Sequence, residues 1–239
     1  MLKEALQYII GLSEPTIQHI DGEPYSDKPL HRINHNPKAE PIKMNTLTSL
    51  IDYLKSGVDV KTDQFFIHVQ SPTKVSVFSA LDFDRDREYL VEVNAQIPSF
   101  DYGRFIDHET FCINIQAKFL NSSDTDRALL LKFAGTVEAG TVAEYGDDGV
   151  TQKATVKTGI ASKGEAIVPS PALLRPFRTF IEVEQPASNF IFRMNQDRGS
   201  IQCALFEADG GAWKNHAMEN IKDYLRENLA DFPNFTVIS

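Results

Sequence analysis

Carboxylates, histidines and arginines are the side chains in this sequence that could do chemistry, and their spacing limits what that chemistry is. His108 and Glu109 are adjacent, as in half of a zinc-binding helix motif, but no second histidine follows at i+4. His31, His35 and His216 are distant in sequence, so a structural or surface histidine is the simpler reading. Glu144, Asp147 and Asp148, with Glu207 and Asp209 further on, carry enough oxygen donors for a divalent cation if the fold brings them together. Carboxylates at an Asp-Gly turn, however, mostly hydrogen-bond their own backbone. The run from Asp82 to Arg87 interleaves acids with Arg85 and Arg87 and lacks a loop glycine, which fits a solvated turn of mixed charge better than a calcium loop. No Gly-x-Ser-x-Gly elbow, phosphate-binding loop or dinucleotide fingerprint occurs. No resident cofactor or metal is therefore expected.

The densest polar cluster is Arg175, Arg178, Glu182, Glu184 and Gln185. As a strand over 177–184, this segment would place Arg178, Phe180, Glu182 and Glu184 on one side and Thr179, Ile181 and Val183 on the other. A charged strand face must be solvated, paired within the fold or covered by a partner. Ion pairs within or between subunits are expected there, since nothing nearby resembles a nucleophile or an oxyanion stabiliser. The run Glu207-Ala-Asp-Gly-Gly-Ala-Trp-Lys214 leads into a helix whose N-terminus could hold an anion, although the acids just before it favour self-capping.

The elements that position these groups follow from periodicity. Leu2, Leu6, Ile9 and Ile10 mark a short amphipathic helix, and the proline-bearing stretch 20–42 reads as an extended, ladder-poor arm. Leu47, Leu50, Ile51 and Leu54 mark a helix capped by Asn45 or Thr46 and ended by Gly57. Segments 64–69, 74–80 and 88–97 alternate in period two and make an antiparallel meander. Asp107 reads as the cap of a helix with Phe111, Ile115 and Phe119 on one face, although the same residues with Ile113 also fit a strand, and Asp124 is a candidate cap for a second helix before Gly135. Residues 137–160 form a long β-hairpin with a Tyr145-Gly-Asp-Asp-Gly149 tip and a thin apolar face, so it is expected to project and to need a partner. Strands follow over 177–184, 189–194 and 201–207, and Trp213, Ala217, Ile221 and Leu225 define a C-terminal amphipathic helix. The fold class is α+β, with residues 1–43 as an N-terminal helix and arm and 44–239 as a single domain.

Composition narrows the function. With 239 residues, 42% hydrophobic and 24% charged, the chain can bury a sizeable core. A formal charge of −9 argues against a general nucleic-acid binder. Cys112 and Cys203 lack disulfide or zinc spacing, and neither a leader nor a membrane-spanning segment is read, so an intracellular protein without a membrane partner is expected.

Tyr25-Ser-Asp-Lys, Gln70-Ser-Pro-Thr-Lys-Val75, Glu144-Tyr-Gly-Asp-Asp-Gly-Val-Thr-Gln152, Arg178-Thr-Phe-Ile-Glu-Val-Glu-Gln-Pro-Ala-Ser188 and Ala204-Leu-Phe-Glu-Ala-Asp-Gly-Gly-Ala-Trp-Lys214 resemble the YfdQ-type family of tailed-phage and prophage proteins. The resemblance runs from about Tyr25 to Leu229. It implies a phage origin and a place in the host bacterial cytoplasm; it implies no chemistry, because that family has no known function. The expected function is a non-enzymatic protein that assembles with itself into a ring or a capsid- or encapsulin-like shell. Its interface would draw on Tyr145, Asp147, Asp148, Gln152 and Lys153 of the hairpin with Arg175, Arg178, Glu182 and Glu184 of the charged segment. A second class is an accessory protein that binds a host or phage protein, inhibits a host defence factor, sequesters a ligand or assists phage DNA metabolism. A third is a metal-dependent enzyme built on the acids named first.

Overall fold

Residue contacts divide the chain into two units, Met1–Ala39 and Glu40–Ser239. The computed structural model describes residues 2–13, 15–29, 38–59, 64–143, 153–157, 163–167, 170–197 and 200–239. In the first unit, α1 (Leu2–Ser13) precedes two antiparallel strands, β1 (Ile17–Ile20) and β2 (Glu23–Ser26). Asp21 and Gly22 join them at φ 54° and 88°. Two successive positive φ values are the signature of the hairpin turn that Asp-Gly favours, because its twist matches that of the strands. The start of the expected arm is thus laddered. Pro24 is accommodated because a two-stranded ladder leaves one side of each strand unpaired.

The second unit holds two helix-on-sheet layers, each with its own core. The first begins with β3 (Ile42–Met44) and α2 (Leu47–Ser56). Thr46 caps α2 by accepting from the Ser49 N–H at 3.1 Å, and Gly57 ends it in the left-handed region at φ 66°. β4 (Phe65–Ser71), β5 (Lys74–Ser79) and β6 (Tyr89–Asn94) form the expected antiparallel meander. β3 adds in parallel beside β6. On the other edge, β14 (Phe235–Ile238) adds in parallel beside β4. α2 and α5 (Ala212–Asn228) bury Leu47, Leu50, Leu54, Ile221 and Leu225 against Ile67, Val75, Val77 and Val91. On β4, Phe66 and His68 alternate with these buried positions; the Phe66 ring stacks on Phe78, with the Arg87 guanidinium 4.9 Å from the Phe78 ring.

The second layer contains β7 (Ile106–Asp107), α3 (His108–Lys118) and α4 (Arg127–Thr136). Its sheet runs in the order β11 (Ala172–Leu174), β12 (Ser188–Asp197), β13 (Ser200–Glu207), β7. Phe111 and Ile115 of α3 and Leu130 of α4 pack on Phe190, Phe192 and Leu205. Asp107 caps α3 through the Glu109 and Thr110 N–H groups, both at 3.0 Å. Asp124 does not cap α4: it pairs with Arg175 at 2.8 Å, and Asp126 begins the helix while accepting from the Leu173 N–H at 2.7 Å. β8 (Val137–Ala143) and β9 (Lys153–Lys157) pair antiparallel as the hairpin requires, and β10 (Lys163–Ile167) continues that sheet on the far side of β9. The partner that a thin-faced hairpin needs is therefore partly supplied from within the chain.

Residues 177–184 are not a strand, contrary to the alternation of charge and apolar side chains there. Gln185 explains the difference. Its side chain is buried, and its Oε1 accepts from the Arg178 and Thr179 N–H groups at 3.1 and 3.3 Å. Its Nε2 donates to the Phe180 and Val183 carbonyls at 2.9 and 3.3 Å. One amide thus satisfies four backbone groups that a neighbouring strand would otherwise satisfy, and the segment curls around it. Gln185→Leu removes all four bonds at once, and a loss of about 2–4 kcal/mol in unfolding free energy is expected from stranding buried backbone groups. Urea denaturation followed by circular dichroism measures it; an unchanged midpoint would mean that the loop finds other partners.

Candidate functional site

The curled segment lies between the two cores and ties them together. Phe180 and Val183 belong to the first core, while residues 175–177 pair with the end of α3: Leu120 N–H donates to the Arg175 carbonyl at 2.8 Å and Phe177 N–H to the Lys118 carbonyl at 2.9 Å. Glu182 accepts from the Thr48 N–H at 3.2 Å in the first turn of α2. The Asn220 side chain of α5 donates to the Glu184 carbonyl at 3.0 Å.

Arg178 is the centre of this junction, with only 5% of its side chain exposed. Its guanidinium donates to Glu207 at 2.8 Å and to Ser188 Oγ, which in turn donates to Asp209 at 2.6 Å. It lies 4.0 Å from the centre of the Trp213 ring and 5.6 Å from that of Phe190. Burial weakens its hold on its proton, and the surrounding carboxylates oppose that effect. Asp209 also accepts from the Gly211 N–H at 3.0 Å, so the acid caps the entry to α5 from within. Burial disfavours the Asp209 carboxylate, but its hydrogen bonds from Ser188 and the backbone, with Arg178 nearby, hold it below the ordinary value of 3.8.

Beside this network opens a cleft of about 380 Å³. Phe100, Tyr102, Phe177 and Trp213 give it aromatic walls; Lys118, Arg178, Glu207 and Lys214 give it charge. Tyr102 is placed by Gly103, which takes φ 74° and donates its N–H to the Leu205 carbonyl at 2.7 Å. A β-carbon at Gly103 would sit 3.7 Å from the Phe206 ring, so the strained backbone, more than crowding, requires glycine. Burial raises the Tyr102 phenol to about 12, with Glu207 adding to the effect and Arg178 opposing it, so the hydroxyl stays neutral and able to donate. A second hollow of about 310 Å³ near Arg226, Phe232 and Phe235 has one charged side chain on its walls.

The residues singled out in the sequence distribute unevenly around this site. Arg175 pairs with Asp124 and Glu184, Arg178 with Glu207, and Glu182 with the start of α2, so all four charged residues of the 175–184 segment have partners inside the chain. Lys153 opens β9, and Tyr145, Asp147, Asp148 and Gln152 lie outside the described residues. Glu144 lies outside them too, while Glu207 and Asp209 are engaged with Arg178 and Ser188; among the described residues no three histidine, cysteine or acidic side chains cluster as metal ligands. His108 sits 3.8 Å from Asp107 at the start of α3, with its side chain about half exposed. Cys112 and Cys203 are free thiols, and burial raises Cys203 to about 12. No described helix is long and apolar enough to cross a membrane.

Tyr102, Phe100 and Lys118 were not legible as site residues, because the cleft draws on segments far apart in sequence and no local spacing signals it. The four-residue spacing predicts Trp213 on the apolar face of α5; it is half-buried, and its ring faces the Arg178 guanidinium. Comparisons with protein-family models, curated proteins and solved structures found no match to this chain.

The depressed Asp209 carboxyl makes a pH prediction. A group whose folded value lies below its unfolded one stabilises the fold above the unfolded value, and that contribution disappears as pH falls through the folded one. Asp209→Asn is therefore expected to be less stable than the parent at pH 7, with the gap closing as pH drops below about 3.8. Thermal melts of both proteins at pH 7, 5 and 3 check this; a gap that stays constant would remove the carboxylate charge from the account.

Proposed function

We propose that this chain is a non-enzymatic protein of tailed-phage or prophage origin that assembles with itself into a symmetric ring or a capsid- or encapsulin-like shell in the host bacterial cytoplasm. The observation that carries the reading is the N-terminal unit. Every residue of β1 and β2 is exposed. Leu6, Tyr8, Ile9, Ile17, Ile20 and Tyr25 all lie in this unit and are each more than half exposed. A two-stranded hairpin beside one short helix does not bury enough apolar surface to offset the entropy of ordering it. Each of those side chains would contribute roughly 1.5–3 kcal/mol on full burial, which makes a second surface the natural source of stability. A second copy is the economical partner, because an element exchanged between identical subunits closes a symmetric assembly without any new component. The resemblance to a phage family supports the origin, and the internally paired site charges favour a structural role over catalysis.

Light scattering after size exclusion tests the reading. The full chain is expected as a uniform particle of many subunits, and residues 40–239 alone as a monomer with a similar melting temperature. A monomeric full chain would overturn the assembly, and a truncated chain that keeps the full particle mass would clear the N-terminal unit of any part in it.

A further inference from the structure

The cleft beside Arg178 has properties that self-assembly does not use. The protein as a whole is acidic at −9, yet the cleft walls carry Lys118, Arg178 and Lys214 against Glu207. Glu207 is already committed to Arg178 at 2.8 Å. Lys214 has no carboxylate within ion-pair distance among the described residues, and Lys118 uses one hydrogen on the Ser99 carbonyl at 2.6 Å, leaving two for other acceptors. Two cations at one opening thus have no ion-pair partner among the described residues, Lys214 lying 6.0 Å from the centre of the Trp213 ring. Such a place attracts a small anion even where the net charge repels a nucleic-acid backbone.

A second, independent observation points the same way. Among the buried polar atoms, Arg178 Nε and Trp213 Nε1 have no hydrogen-bond acceptor, and both residues line the cleft. Buried donors are nearly always satisfied in folded proteins, and leaving one bare costs about 1–3 kcal/mol. Both nitrogens are closed off from solvent as the side chains stand, so an acceptor brought by a ligand would repair the deficit only with a small shift of the side chains around them. The anion is not assigned to the N-terminus of α5, because Asp209 already occupies that position.

Shape and wall chemistry narrow the class further. A volume of about 380 Å³ suits a molecule of mononucleotide size. Phe100, Tyr102, Phe177 and Trp213 line the cleft; Arg178 covers one face of Trp213 and Phe190 one face of Tyr102, and a base stacks on a remaining face with roughly 1–3 kcal/mol. A free inorganic anion would leave those walls idle, and a neutral aromatic would leave the lysines idle. We propose that the cleft binds a small anion with a planar base, of the nucleoside monophosphate class, with the base among the aromatic walls and the phosphate at Lys118 and Lys214.

The chain has a single tryptophan, Trp213, so its intrinsic fluorescence reports this cleft directly. Titrating the full chain with AMP, GMP or inorganic phosphate at low salt is expected to give saturable quenching by at least one nucleotide. Phosphate should bind at least about tenfold more weakly, because it does not stack. Lys214→Ala and Lys118→Ala should each weaken nucleotide binding by about tenfold with an unchanged particle mass, and Lys214→Ala, the exposed one of the two, with an unchanged melting temperature. The proposal is overturned if neither nucleotide gives saturable binding up to about 10 mM by fluorescence or calorimetry. It is equally overturned if phosphate binds as tightly as the nucleotides, or if both lysine variants bind like the parent. None of these outcomes depends on the oligomeric state, so the assembly reading stands or falls separately.

Discussion

The buried amide of Gln185 is the constraint on which the rest of the second unit depends. Four backbone groups of residues 178–183 face no neighbouring strand, and one side chain at 4% exposure takes them all. Because that amide closes the loop, Phe180 and Val183 can enter the first core while Arg178 turns toward the second sheet. A leucine of similar volume would fill the space without holding the curl. The two helix-on-sheet layers meet where they do because a polar group, not an apolar one, organises their junction.

Arg178 follows from that geometry. A guanidinium taken out of water must be paired, and its partners come from separate elements: Glu207 at the end of β13, Ser188 at the start of β12 and the Trp213 ring of α5. The pairing fixes the relative positions of the second sheet and the last helix. The cleft opens beside that network, with Arg178 and Glu207 on its wall. The charged residues from 175 to 184 are thereby paired within the chain, and exposed apolar side chains occur in both units, from Tyr8 and Ile9 in the first to Val58, Phe83 and Ile181 in the second.

Local rules carried the reading of the sequence a long way where one element satisfies itself. The α2 spacing, its Thr46 and Gly57 ends, the β4–β6 meander and the Asp107 cap are all written in short stretches, and the structure has each of them. The reading failed where a side chain replaces a backbone partner. Alternation over 177–184 imitates a strand, and nothing in its period reveals that Gln185 folds back over it. In the N-terminal stretch the prolines outweighed Asp21-Gly22, although that pair is a strong hairpin signal. The cleft was illegible for a different reason: Phe100, Lys118, Phe177, Glu207 and Trp213 become neighbours only through the packing of two cores, and strand order between the sheets has no local signature.

The five-stranded sheet places unequal demands on time. β3, β4, β5 and β6 are made within the first part of the second unit, but the outer edge of β4 is covered only by β14, so position 65 waits for position 235. The same delay applies to the sheet face, where Ile67 and Val75 share a core with Ile221 and Leu225 of α5. During synthesis the meander therefore stands with an open edge and an apolar face that only α2 can cover while the whole second layer is translated, the condition under which chains pair with the wrong neighbour. The stability of the finished fold offers no protection to β4 in that interval.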